Sequence, residues 1–193
     1  MGPFLFFTKM KSIKDLDIDK INDSHLICLS EGFKIYRRSA GIPLEFQYND
    51  TTFTTKVEPE NRRLDIIAIN SGACSTITSV RGTFAETMGS EERKLYEIDV
   101  IKSIDRILDL DKVCEEQGIE RQYLHIVNTL DGRDHEQEKE LFKLYGKNIQ
   151  EKRIHGVKYL SRRSPNDFCC MFYDTLPNLN EFFSSNEIAE PLF

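Results

Sequence analysis

Two arginines stand where they could bind an anion. Arg37 ends an early apolar run, and Arg63 follows a long polar stretch. A planar guanidinium can bind two phosphate oxygens at once, so this pair suits a ligand that carries phosphate groups. The alternative for each is a surface salt bridge, and for the neighbouring Arg38 and Arg62 we prefer that alternative.

One glutamate, Glu86, falls in a short helix predicted after Ser79. It lies beside Phe84 and Ala85, whose apolar side chains predict that this helix packs on the core. A carboxylate held there in a partly desolvated position can stabilise positive charge that develops in a transition state. The alternative is a solvated helical glutamate.

Ser161 begins a polar turn after the predicted strand 157–160. The sequence offers no base to activate its hydroxyl, so we interpret it as a hydrogen-bonding residue for a ligand rather than a nucleophile. The alternative is ordinary turn chemistry, which serine favours. Arg163 and Asn166 follow in the same turn and are the weaker candidates for completing a pocket.

Other motifs fail on their own spacing. Asp15, Asp17 and Asp19 imitate the start of a calcium-binding loop, but the loop's glycine and its closing glutamate are missing. The dipeptide His135-Glu136 lacks the second histidine of the zinc-protease helix. No phosphate-cradling glycine loop and no nucleophile elbow occurs in the chain. We therefore expect no bound metal.

Composition favours an acidic globular protein. The 193 residues include 39% hydrophobic and 30% charged side chains, and 26 basic against 32 acidic residues give a net charge of −6. That sign argues against direct binding of nucleic acid. Five cysteines without a C-x-x-C pair predict a reducing cytoplasm, with Cys169 and Cys170 as buried thiols. The apolar run 4–7 is too short for a membrane span or signal peptide.

The elements that must position these residues follow from hydrophobic periodicity and turn residues. We predict a polar lead-in over 1–22, a single domain over 23–193, and an α+β fold with central β-sheets and flanking helices. Strands are predicted at 25–29, 33–37, 95–100, 106–110, 157–160 and 168–173, with a shorter apolar run at 66–69 and a turn at 30–32. Helices are predicted at 79–88, 112–117, 120–128 and 134–152, and a long loop at 41–61.

Fragments in a fixed order resemble one known family. They are Ile35-Tyr36-Arg37-Arg38, Arg62-Arg63-Leu64-Asp65, Thr83-Phe84-Ala85-Glu86-Thr87, Ile107-Leu108-Asp109-Leu110 and His155-Gly156-Val157-Lys158-Tyr159-Leu160-Ser161-Arg162-Arg163, with Asn166 and Phe172 behind them. Their order and spacing resemble the RES-domain family, named for its arginine, glutamate and serine. The resemblance covers about residues 33–173, and it is the ordered combination that is specific.

The resemblance implies an NAD-consuming toxin of a bacterial toxin–antitoxin system, with a fold similar to ADP-ribosyltransferases. NAD would be the substrate, and the partner would be a cognate antitoxin, commonly a helix-turn-helix protein. Cleavage of the nicotinamide–ribose bond passes through an oxocarbenium-like state, and its leaving group is already cationic, so no general acid is needed. Glu86, Arg37 and Ser161 are then the expected catalytic residues. The expected NAD-binding residues are Arg37, Arg63, Tyr36, Ser75, Arg163 and Asn166.

The chain departs from the family at one position. The family usually carries a tyrosine upstream of the glutamate, suited to stacking on the nicotinamide ring, and the matching residue here is Ser75. Tyr36 or Tyr159 would then have to supply the ring. Three functions stay open: NAD cleavage with transfer of ADP-ribose to water or phosphate, mono-ADP-ribosylation of a protein, and a catalytically inactive module that binds a nucleotide or partner. The acceptor and the oligomeric state, a homo-oligomer included, are not determined by the sequence.

Overall fold

Eight strands form one sheet in the computed structural model, which describes residues 15–46, 73–86, 92–119, 154–161, 164 and 166–191. The strands are β1 (Leu26–Leu29), β2 (Lys34–Ser39), β3 (Ala73–Ile77), β4 (Lys94–Val100), β5 (Ile104–Asp109), β6 (Gly156–Leu160), β7 (Phe168–Tyr173) and β8 (Phe183–Ile188). Their order across the sheet is β1-β5-β6-β7-β3-β2-β4-β8. The β5–β6 pair is parallel, and the remaining pairs are antiparallel.

Two α-helices belong to the described residues, α1 (Val80–Glu86) and α2 (Leu110–Gln117). Asp109 caps α2, because its carboxylate accepts from the backbone N–H of Lys112 at 3.2 Å. Gly118 ends the helix with φ +69°, a left-handed conformation that glycine adopts without strain. Short 3-10 helices lie at Ile18–Lys20, Asp23–His25 and Leu179–Glu181.

Apolar clusters cover both faces of the sheet. Val113 and Cys114 of α2 pack with Leu108, Val157 and Met171 on one face, which we call the helical face. The other face carries a second cluster whose members include Ile35, Ile98, Ile107, Phe172 and Phe183. Because side chains alternate along a strand, neighbouring residues of β2 point to different faces. This alternation determines which polar residues of β2 lie on the same face of the sheet.

Much of the predicted secondary structure is confirmed. Strand β7 has the predicted bounds, and β1, β2, β4, β5 and β6 lie within a residue or two of theirs. Helix α1 begins directly after Ser79, as predicted, and α2 begins two residues before its predicted start. Cys169 and Cys170 are buried, and all five cysteines are free thiols. The combination of a β-sheet with helices against it is thus confirmed, whereas its ADP-ribosyltransferase type stays a prediction.

Strands β3 and β8 are absent from the sequence-based prediction, which was wrong to give the chain only two strands after residue 156. Both consist largely of small or polar residues, so neither shows the apolar pattern of an isolated strand. Strand β3 is formed by pairing with β2 and β7, and β8 by pairing with β4. The predicted segments 66–69, 120–128 and 134–152, and most of the loop 41–61, lie outside the described residues.

The end of the predicted lead-in contacts the core. Leu16 is buried against the cluster under α2. The backbone N–H of Asp17 donates to the Gln117 side chain at 2.8 Å, and that side chain donates back to the Asp17 carbonyl at 2.9 Å. No described helix is both long and apolar enough to cross a bilayer.

Candidate functional site

Arg37 is buried within the sheet. Its strand, β2, lies between β3 and β4 and buries Ile35, Arg37 and Ser39 on one face. Ile35 belongs to the second apolar cluster, so Arg37 points away from the helical face. The residue is only 8% exposed.

Among the described residues, the Arg37 guanidinium contacts a thiol. Its Nη1 lies 2.6 Å from Sγ of Cys74, and that thiol in turn faces the carbonyl of Pro43 at 3.8 Å. Burial raises the pKa of the Cys74 thiol by more than the charge of Arg37 lowers it. The thiol is therefore protonated and does not neutralise the guanidinium.

Within the described part of the chain, no carboxylate lies within ion-pair distance of Arg37. A buried charge without a counter-ion is unfavourable, because the protein interior solvates ions poorly. An anion at the guanidinium would remove that penalty. Strand β2 therefore carries a buried positive charge that a bound anion would neutralise.

Arg38, the next residue, has the opposite surroundings. Its Nε and Nη2 lie 3.1 and 3.0 Å from Oε1 of Glu190, and its Nη2 donates to the carbonyl of Arg93 at 3.3 Å. Its Cζ lies 4.5 Å from the centre of the Phe84 ring. The salt bridge preferred for Arg38 is confirmed, although its side chain is only 8% exposed and so is not a surface group.

Helix α1 lies on the same face as Arg38. Its start is fixed by Ser79, whose hydroxyl accepts from the N–H of Gly82 at 2.9 Å. Gly82 sits so close to Ile77 that an added Cβ would lie 2.5 Å from that side chain. Phe84 contacts Arg38, so the predicted packing of this helix on the core is confirmed. Glu86 is the last residue of α1, and only its backbone is described.

The structure therefore separates two predicted catalytic residues by face. Arg37 points to one side of β2, and the helix that ends at Glu86 packs against the other. Both nevertheless lie toward the same end of the sheet, since Arg37 contacts the start of β3 and α1 ends near the start of β4.

Ser161 is buried in a tight polar turn. Its Oγ accepts from the N–H of Ser164 at 3.1 Å, and its N–H donates to the carbonyl of Asp167 at 2.8 Å. Ser164 also hydrogen-bonds the Asp167 carboxylate through its hydroxyl. These contacts fix the orientation of the Ser161 side chain, as a ligand-binding hydroxyl requires.

This turn lies at the far end of β3 from Arg37. Thr78, directly after β3, exchanges hydrogen bonds of 2.9 and 3.0 Å with Phe168 at the start of β7. Cys74 and Thr78 are separated by about 13 Å of extended chain. The described contacts do not bring Ser161 and the Arg37 guanidinium together, and a single ligand that touches both must be extended.

The remaining predicted residues are placed as follows. The Tyr36 hydroxyl donates to Glu97 at 3.2 Å, and Lys34 donates to the same carboxylate at 2.6 Å, which holds the pKa of Glu97 below its usual value. Ser75 lies in β3 opposite Met171, and Asn166 is exposed in the turn. Tyr159 packs against the cluster under α2. Arg63 and Arg163 lie outside the described residues.

A polar group on the Arg37 face was missed. Lys158 is paired in register with Cys170 and with Asp109, and its Nζ lies 3.0 Å from the Asp109 carboxylate. The same Nζ lies 4.2 Å from the centre of the Phe168 ring. Burial raises the pKa of the Cys170 thiol, on the strand beside Lys158, to about 12. Both charged residues belong to the fragments of the family resemblance, but only the strand register shows that they share a face.

Comparison with known proteins identifies a fold. No family model matches the chain, and no characterised protein matches its sequence. The fold is similar to that of a chain in the crystal structure of the M. tuberculosis MbcT–MbcA toxin–antitoxin complex, with a TM-score of 0.50 and 12% identity over 94% of this chain and 95% of that chain. At that identity the likeness is one of fold.

Proposed function

We propose that this protein is the toxin of a toxin–antitoxin pair and acts in the cytoplasm as an NAD-degrading enzyme. It cleaves the bond between nicotinamide and ribose and transfers ADP-ribose to water or phosphate. Its partner is a cognate antitoxin of the helix-turn-helix type. The likeness to a chain of a toxin–antitoxin complex over nearly the whole length supports the toxin role.

One observation carries the proposal toward a phosphate-bearing substrate. Arg37 is a buried cation whose described neighbour is a protonated thiol rather than a carboxylate. A pyrophosphate group would supply negative charge at this cation, and a guanidinium binds its oxygens in the fork geometry that it also uses for carboxylates. NAD contains such a group, attached to the same ribose that carries the bond to be cleaved.

Each of the proposed site residues has a separate role in the reaction. Arg37 anchors the pyrophosphate, with Arg63 and Arg163 as further anion-binding residues. Glu86 stabilises the positive charge that develops on the ribose as nicotinamide leaves. The hydroxyl of Ser161 hydrogen-bonds the nicotinamide ribose or carboxamide. The leaving group departs as neutral nicotinamide, because its ring nitrogen takes up the bonding electron pair.

Nicotinamide release by the purified full chain tests this function. We expect release from NAD, with ADP-ribose as product in water and ADP-ribose 1″-phosphate when phosphate is the acceptor. Substitution Glu86→Ala should abolish it, because it removes the carboxylate that stabilises the ribosyl cation. No release under either condition would refute the activity. Transfer of labelled ADP-ribose onto a protein would instead identify a mono-ADP-ribosyltransferase.

A second candidate is a catalytically inactive module that binds a nucleotide or a partner protein. Two observations favour it: Ser75 stands where the resembled family has a stacking tyrosine, and the described contacts keep Ser161 apart from Arg37. This candidate predicts that NAD binds without release of nicotinamide. It also predicts that Glu86→Ala changes neither toxicity nor the cellular NAD level.

A further inference from the structure

We propose that Arg38 is a positioning residue for Glu86, and that the carboxylate of Glu190 holds Arg38 in place for this task. The proposal rests on the proposed function, in which Glu86 acts at the ribose. Its basis is that the guanidinium of Arg38 contacts, among the described residues, three segments that are far apart in sequence. These contacts are to Phe84 in α1, to the carbonyl of Arg93 before β4, and to Glu190 after β8.

Two of these contacts bracket the chain that follows Glu86. Phe84 lies in the last turn of α1, and Arg93 directly precedes β4 (Lys94–Val100). One guanidinium therefore fixes the end of the helix relative to the strand that follows it. Because Arg38 belongs to β2, which pairs with β4 over its whole length, this anchor is itself rigid.

The guanidinium makes these contacts with different parts of its plane. The Phe84 ring contacts the group at Cζ, while Nε and Nη2 on its edge lie against Glu190 and the Arg93 carbonyl. A lysine carries the charge but has no planar fork, so it cannot make all three contacts at once. Glu190 is 44% exposed, whereas the Arg38 side chain is 8% exposed. The carboxylate can therefore be changed at the surface without opening a cavity.

A displaced carboxylate loses catalytic power faster than it loses binding. A shift of about 1 Å in a reacting group can cost roughly 100-fold in rate. In the proposed function, substrate affinity comes from Arg37, on the other face of β2. Loss of the Arg38 anchor should therefore lower kcat and leave KM nearly unchanged.

The test compares full-chain variants in nicotinamide release and in amide hydrogen exchange of residues 80–86. Arg38→Gln should lower kcat by about 10- to 100-fold, with KM within about threefold, and should speed exchange in α1. Glu190→Gln should reproduce the effect in weaker form, and Arg38→Lys should recover part of kcat. The matched control is Lys94→Gln, which removes an exposed ion pair with Glu187 on the neighbouring strands. It should leave both readouts unchanged.

Several outcomes overturn the proposal. It is wrong if Arg38→Gln and Glu190→Gln change kcat no more than Lys94→Gln does, or if the loss lies in KM, which would make Arg38 a substrate-binding residue. Should Arg38→Gln fail to fold, Glu190→Gln decides alone. If the wild-type chain releases no nicotinamide, the proposed function fails, and unchanged exchange in α1 would separately show that Arg38 does not hold the helix.

Discussion

Arg37 and Arg38 are neighbours in sequence but lie in opposite environments. Each is almost fully buried, and each points to a different face of β2. Arg38 meets a carboxylate, a carbonyl and an aromatic ring, so its charge is balanced within the protein. Arg37 meets a protonated thiol. The difference shows that the charge of Arg38 is balanced within the protein, and it supports the proposal that Arg37 binds an anionic ligand.

The comparison also separates stability from function within a single strand. A cation balanced inside the protein contributes to the free energy of folding, because its removal leaves partners without a contact. A buried cation that lacks a counter-ion lowers stability until a ligand binds. Substitution of Arg38 should therefore lower stability as well as kcat, whereas substitution of Arg37 should weaken ligand binding without lowering stability.

The largest expected effect is on activity at Arg37. Arg37→Met keeps an unbranched side chain at this position but removes the charge that is proposed to bind the pyrophosphate. We expect a loss of about 2–5 kcal/mol in transition-state binding, or roughly 30-fold or more in kcat/KM. Nicotinamide release at varied NAD concentration measures it. Activity equal to that of the wild type would place the anion site elsewhere.

The next effect is on stability at Arg38. Arg38→Met removes the ion pair with Glu190, the hydrogen bond to Arg93 and the contact with Phe84, so the free energy of unfolding should fall by about 1–3 kcal/mol. Urea denaturation followed by circular dichroism measures the change. The exposed pair of Lys94 and Glu187 provides the control, since Lys94→Met should cost less than about 1 kcal/mol. Equal losses in the two variants would contradict the role given to Arg38.

Arg37→Met should behave differently in the same denaturation experiment. Without ligand, the variant should be as stable as the wild type or more stable, because it removes a buried charge that lacks a described counter-ion. A saturating concentration of ADP-ribose should stabilise the wild type and not the variant. A fall of the size expected for Arg38→Met would mean that the charge of Arg37 is balanced within the protein.

The smallest effect concerns the thiols. Burial raises the pKa of Cys74 and that of Cys170, the latter to about 12, whereas Cys28 is exposed. At pH 8, iodoacetamide should therefore label Cys28 first in the native protein, because the thiolate is the reactive form. Mass spectrometry of the digested protein locates the label. Fast labelling of Cys74 would indicate a thiolate paired with Arg37, and the contrast between the two arginines would then disappear.

The raised pKa of Cys170 also makes the free energy of unfolding depend on pH, and the direction of this dependence can be predicted. The unfolded chain loses the Cys170 proton near the thiol's ordinary pKa, and the folded chain only near pH 12, so the folded state binds more protons between them. Stability must fall as pH rises through that interval. The fall should be shallower in Cys170→Ala than in the wild type. Identical slopes would show that Cys170 does not contribute.

The elements that could be predicted from the sequence are those whose own residues carry a clear pattern. Strand β7 is a continuous apolar run before a polar turn, and α1 follows a serine cap, so each was predictable from its own residues. Strands β3 and β8 depend on partners distant in the chain. Alternation along β2 implies that Arg37 and Arg38 face opposite ways. The charge of Arg38 is balanced by Glu190, which is 152 positions away in the sequence. No local sequence pattern could predict this pair, because it depends on the tertiary fold.

The most direct test of the account is calorimetric titration of ADP-ribose into the wild-type chain and into Arg37→Met. ADP-ribose keeps the pyrophosphate and lacks the bond that the enzyme is proposed to cleave, so binding is measured without turnover. We expect binding to the wild type and a loss of roughly 30-fold or more in affinity for Arg37→Met. Equal affinities for the two proteins, or no binding to the wild type, would contradict it.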